Sequence, residues 1–476
     1  MKLLGSIDRH GLFLLFILAT VPLLFGARHP FIQGCYAFLL LLSAGIWLVF
    51  HFEEMKHQLL RPRLLPPLIL VLYIFFTSFS LPLSLLSFLS PVRAGYLEQA
   101  SQIALLRDPV TSISYFAAGT RLYGVYLTAL LLYFFYSSRL LRSRELLFAA
   151  LWVVTGVGTV EAVYGLTQAL IPSLGVLWLP SEVSAAGSAR GTIIYRNQFA
   201  AFMNMCWPLA VTLGVVLYKP VIDKIRFRRK MNNPLTLSEK VATVFQKATL
   251  PFWAALFMVL AVIFSRSRGG IIVMALVAAL LIVFFPFSRR IKLLAAGGFS
   301  LLIITYGGLI GFQTIIHRFL AFYEGALGRI TLWMDSLSML FDHPWTGIGM
   351  GAYKYLSPVY LDDVPGNTWF DFAHNEYVEL ALELGVPMFL LLLAWIAWGT
   401  AMALARAWKM KKEAKGVSVI EIRDGGIIAI GAACALIGFI SHPLVDFTWR
   451  LPANLIYGVT LLALLSSGIT NETERT

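Results

Sequence analysis

The sequence is poor in charge and nearly empty of cysteine. Only 13% of its 476 residues are Asp, Glu, Lys or Arg, against 58% hydrophobic, whereas soluble domains carry about 25% charged residues. That shortage excludes an ordinary water-soluble fold, which could not hide so much apolar surface. The three cysteines, Cys35, Cys206 and Cys434, are far apart and each lies inside an apolar segment. Their spacing fits no disulfide framework, iron–sulfur cluster or zinc site, and they read as small packing residues. No direct or inverted repeat pairs one half of the chain with the other, which counts against a transporter. The glycine-rich stretch near residue 347 lacks the lysine of a nucleotide-binding loop, and its glycines read as structural rather than as a phosphate cradle.

What the chain does have is apolar runs of the length that crosses about 30 Å of hydrocarbon as helix. They fall near 11–27, 30–50, 65–89, 119–137, 146–170, 197–218, 250–265, 269–287, 293–312, 377–400, 425–441 and 453–467. The expected fold is therefore all-α: one polytopic membrane domain, residues 1–476, of about twelve transmembrane helices. The first run, after Lys2 and Arg9, also fits a signal peptide. With both termini cytoplasmic, about two thirds of the 38 basic residues lie inside, as the positive-inside rule requires. The basic runs at Arg226–Lys230, Arg289–Arg290 and Lys409–Lys415, and with them the net charge of +13, are topology signals and not nucleic-acid sites. Two outer segments are long, 90–118 and 313–376. The second, between helices nine and ten, is expected to fold and to carry part of an active site.

On this topology the unusual polar residues share the outer face. Arg190 and Arg196 end one outer loop and Asn197 opens the next helix, while Arg266 and Arg268 occupy the tight turn Ser265–Gly270. A single arginine there would snorkel to lipid headgroups. Four on the less basic side fit an anion better, because guanidinium groups grip phosphate oxygens in a forked geometry. His374 stands where the large loop meets the tenth helix, with Glu376 placed to orient it, and is the first candidate for proton transfer. Glu161 and Gln168 share a face of the fifth helix and read as packing partners of other polar residues. His442, Asp446 and Arg450 could line the same cavity or pair with each other. Asp362 and Asp363 offer no divalent-metal site, and no cofactor is implied.

Taken in order from about residue 155 to 460, these motifs resemble a known family. Tyr195-Arg196-Asn197-Gln198 with Pro208, Ser267-Arg268-Gly269, Arg329 with Trp333, Pro344 with Gly347-Ile348-Gly349, and His374-Asn375-Glu376 with Glu383 and Gly385 are similar to those of O-antigen ligases and O-antigen polymerases. The resemblance implies a metal-independent, inverting glycosyltransferase of the bacterial inner membrane. Its partners would be an undecaprenyl-diphosphate-linked glycan and an acceptor glycan, either lipid A core or another lipid-linked repeat, together with membrane lipids. It also implies that Arg196, Arg268 and Arg329 bind the diphosphate and that His374 is catalytic. Arg190 and Arg266 neighbour motif positions and join the substrate-binding candidates, while Asn197, Asn375, Glu376 and Glu383 support the site. The competing reading is a transporter or flippase of an anionic lipid or small anion, which would need ionisable residues near the bilayer midplane on several helices.

Overall fold

The computed structural model describes residues 7–59, 61–103, 110–179, 187–310, 330–361, 370–414 and 419–467. The regular elements among them are helical, as apolar runs in lipid require, since a helix satisfies its own backbone N–H and C=O groups within one segment. In chain order the α-helices are α1 (Arg9–Thr20), α2 (Pro30–Leu59), α3 (Leu65–Ser78), α4 (Leu83–Leu89), α5 (Pro91–Ser101), α6 (Ala117–Leu140), α7 (Arg144–Leu170), α8 (Arg196–Lys230) and α9 (Leu237–Val244). They continue with α10 (Leu250–Phe264), α11 (Arg268–Phe284), α12 (Arg289–Ile310), α13 (330–342), α14 (Tyr353–Tyr360), α15 (Glu376–Glu413), α16 (Asp424–Ser441) and α17 (Pro452–Ser466).

Among the described residues, seven helices are long and apolar enough to cross a membrane: α2, α6, α7, α8, α10, α15 and α16, with α10 and α16 counted together with an adjoining turn. Helices α1, α3, α11 and α17 are apolar but shorter. Every one of the twelve expected runs contains a helix, and seven of these, among the described residues, meet the length and composition of a span. The third run needs correction. Its helix stops at Ser78, where the Thr77 and Ser78 hydroxyls turn back onto the Ile74 and Phe75 carbonyls. The chain then leaves through Pro82, and Ser114 N–H donates to the Thr77 carbonyl, tying the 90–118 segment to the end of α3.

Helix α8 is the hub. It packs on α7, α10, α11, α16 and α17, and its apolar window is 89% buried, as expected of a helix that is apolar all round. Cys206 and Cys434 pack in this core, but Cys35 is exposed, against the expectation of burial for all three. Outward-facing Phe38, Val49, Leu72, Leu122 and Ile272 are exposed. So much apolar surface on the outside is compatible with lipid and not with water. The protein is a multi-pass membrane protein.

Candidate active site

The loop before α8 is held from within the bundle. Glu161 of α7 is fully buried and accepts hydrogen bonds from Thr192 N–H at 2.8 Å and the Thr192 hydroxyl at 2.6 Å. Two turns further along the same face, the Gln168 amide donates to the Gly191 carbonyl at 2.8 Å and accepts from Arg190 N–H at 3.2 Å. Gly191, with φ +59°, is required here, because a Cβ would sit 1.9 Å from a Glu161 carboxylate oxygen. The two polar residues inside α7 thus fix the backbone that delivers Arg190 and Arg196. Arg190 itself is buried and donates to Ser188 Oγ at 3.0 Å. Burial, reinforced by Arg196, pushes its pKa down to about 10, so it stays charged at neutral pH.

Three helix N-termini meet beside the 442–450 loop. Arg196 is the first residue of α8 and is exposed. Next to it, Asn197 donates to the Asp446 carboxylate. Ser267 caps α11 by accepting from Gly270 N–H at 3.1 Å, which leaves Arg266 and Arg268 exposed on either side of the cap. This turn lies against the same loop: a Cβ on Gly269 would fall 2.7 Å from Val445 and 3.3 Å from His442 Nε2. Asn375 caps α15, accepting from Tyr377 and Val378 N–H, and so sets the position of His374. His374 Nδ1 stands 3.7 Å from an Asp446 oxygen, within ion-pair reach but long for a hydrogen bond. Its ring meets Phe447 edge-on and is one-third exposed. Arg266 and His374 both take positive φ, +57° and +54°, a conformation that costs energy and gathers at functional sites.

Electrostatics separates the groups of this loop. Burial acts to raise the Asp446 carboxyl, but His374, the Phe447 N–H and His442 outweigh it and hold the pKa below the usual range. His442 is fully buried beside the Gly269 turn. The base partner anticipated for His374 was Glu376. Instead Glu376 faces Arg450 at 3.5 Å, alongside Glu379 at 2.7 Å and Glu383 at 2.8 Å, and Asp446 takes the place beside the histidine. His442, Asp446 and Arg450 therefore do not pair with one another. Burial alone would lower the pKa of Arg450, but the three carboxylates raise it well above its ordinary value.

The glycine-rich segment serves this cage. Gly349 N–H donates to the Glu383 carbonyl, Ile348 N–H to the Leu382 carbonyl, and Gly351 N–H to the Glu383 carboxylate at 2.8 Å. Gly347 N–H donates to the His343 carbonyl. These amides are spent on the protein itself, so they form no phosphate cradle. Gly385 breaks α15 with φ +74°, and a Cβ there would lie 2.7 Å from the Trp345 carbonyl oxygen. Tyr73 plugs the break by donating to the Thr346 and Leu384 carbonyls.

Residues 253–393 match the O-antigen ligase family. No curated protein matches the chain. The family match bears out the resemblance read from the motifs, and it takes in Arg266, Arg268, His374, Asn375, Glu376 and Glu383. Arg196, Asn197, Asp446 and Arg450 fall outside the matched O-antigen ligase segment; Asp446 and Arg450 are joined to it by ion pairs, and Asn197, the neighbour of Arg196, through Asp446. Arg329 lies outside the described residues. Three participants had no signal in the sequence pattern: Glu379, the carboxylate role of Asp446, and Arg28. Arg28 stacks over the Tyr195 ring at 4.1 Å and donates to its hydroxyl at 3.2 Å, next to Arg196.

Proposed function

We propose that the protein transfers a glycan from a polyprenyl diphosphate to the hydroxyl of an acceptor sugar at the outer face of the inner membrane. One observation carries this reading: the arginine-bearing N-termini of α8 and α11 and the histidine before α15 are brought around one loop, 442–450, whose Asp446 meets Asn197 and His374. Helix N-termini favour anions through their free N–H groups and dipole, and Arg196 and Arg268 add full charges. They receive the diphosphate, with Arg329 as a third cation by resemblance, and stabilise the negative charge that builds up as the sugar–phosphate bond breaks. His374 takes the proton of the attacking hydroxyl at Nε2, while Asp446 at Nδ1 orients the ring and stabilises the imidazolium. The new glycosidic bond forms as the lipid diphosphate leaves, in one step with inversion. Arginine supplies the positive charge, so transfer is expected to persist in excess chelator. Loss of activity that Mg²⁺ restores would overturn that expectation.

Deletion followed by gel analysis of surface polysaccharide tests the activity and its acceptor. Loss of long chains from lipid A with polymer left on the carrier lipid identifies a ligase, a single repeat on lipid A identifies a polymerase, and an unchanged pattern rejects both. Transport is the weaker reading because the buried carboxylates of the spanning helices are committed within the protein, Glu161 to Thr192 and Glu376, Glu379 and Glu383 to Arg450. Reporter fusions after Lys230 and Lys354 are expected on opposite faces of the membrane.

A further inference from the structure

A cavity of about 370 Å³ runs between α3, α6, α15, α16 and α17, within the ~300–1,000 Å³ range of ligand pockets. Its walls are almost wholly apolar, with Leu70, Ile74, Leu130, Leu392, Phe439 and Leu462 among the lining residues. Its two ends differ in charge. At the end near the candidate active site it reaches Glu376 and Arg450, where one guanidinium is already held by three carboxylates. At the opposite end it reaches Arg63 and Arg406. Arg61 and Arg406 both repel Arg63 electrostatically, and among the described residues no carboxylate forms an ion pair with any of the three.

An apolar groove that ends in clustered, uncompensated guanidiniums matches an amphiphile with an anionic head and a hydrocarbon tail. From this juxtaposition we infer that the groove is a binding site for an anionic phospholipid of the leaflet opposite the active site, its phosphate at Arg61, Arg63 and Arg406 and one acyl chain between α3, α6, α15 and α17. The polarity of the groove fixes the direction. A phosphate at the other end would face Glu376, Glu379 and Glu383. The bound chain packs against the helices that carry Arg450 and the glutamates, so the lipid supports the architecture of the site without entering the reaction.

Gly399 gives a clean test, since it lines the groove and a Cβ built on it meets nothing within 4 Å. Full-length protein in mild detergent is titrated with phosphatidylglycerol and, separately, phosphatidylethanolamine, and binding is read by native mass spectrometry. Wild type is expected to prefer phosphatidylglycerol by about tenfold, the range of one charge-assisted contact. Gly399→Leu and Gly399→Trp should each weaken phosphatidylglycerol binding with unfolding temperature unchanged in lipid-free detergent, and Arg63→Gln/Arg406→Gln should abolish the preference. Equal binding of the two lipids by wild type, or undiminished binding by both Gly399 variants, overturns the inference. So does displacement of phosphatidylglycerol by a polyprenyl phosphate whose own binding ignores Arg63 and Arg406, which would make the groove the tail path of the donor.

Discussion

Arg268 and Arg450 stand at the same end of the bundle, since the turn of one packs against the loop of the other, yet they are used in opposite ways. Arg268 opens α11 and is exposed. Arg450 is buried, its charge surrounded by Glu376, Glu379 and Glu383 and its face turned to the Tyr123 ring. A guanidinium keeps its charge in either setting, so what differs is burial: one charge faces outward at a helix start and the other is enclosed with its carboxylates. The comparison separates an exposed cation at a helix start from a buried one that holds helices together.

The largest effect expected follows from the second kind. Arg450→Ala leaves three buried carboxylates without a cation, and breaking a buried ion pair costs about 3–5 kcal/mol. Membrane yield and thermal unfolding should both collapse, with Arg450→Lys intermediate. A normally folded Arg450→Ala protein that loses only activity would place Arg450 with Arg268 and remove the contrast.

On the other side of the comparison, His374→Asn should keep the fold, because Asn tolerates the positive φ at this position. Turnover at saturating donor and acceptor should nevertheless fall by about 10²- to 10⁴-fold, the usual contribution of a general base. Near-normal turnover would reduce His374 to a residue that shapes the entry of α15. Arg268→Lys should leave unfolding temperature unchanged and reduce the rate by about 10²- to 10³-fold, as loss of a preorganised charge contact does. If lysine serves equally well, the forked geometry is not what the site requires.

The smallest effect concerns stability and pH. Asp446 is held below the usual carboxylate range in the folded protein, whereas an exposed aspartate takes up a proton below about pH 4. The unfolded chain therefore binds more protons there, and stability declines as pH falls below about 4. Thermal unfolding across that range should show the slope in wild type and a shallower one in Asp446→Asn. An unaltered slope would assign the acid sensitivity to other groups.

The apolar runs made the helices legible, since a backbone in lipid has few other ways to satisfy its polar groups. The arginines at helix starts and His374 could also be read, because charge beside apolar sequence is conspicuous. Asp446 beside His374 was not legible: the two are far apart in sequence, and Glu376, two residues away, offered a plausible local partner. A residue two positions along at a helix start points elsewhere, and here it points to Arg450. Glu161 and Gln168 showed a shared face but not the loop they grip.

By itself, then, the sequence determined an all-helical membrane chain with cations gathered at one face, because hydrocarbon length and the cost of charge in lipid act locally along the chain. Tertiary structure alone decided which of those cations are exposed and which are enclosed. Packing α8, α11, α15 and the 442–450 loop together paired Asp446 with His374 and enclosed Arg450 among three carboxylates. Such pairings depend on distances across the bundle, and no spacing along the chain encodes them.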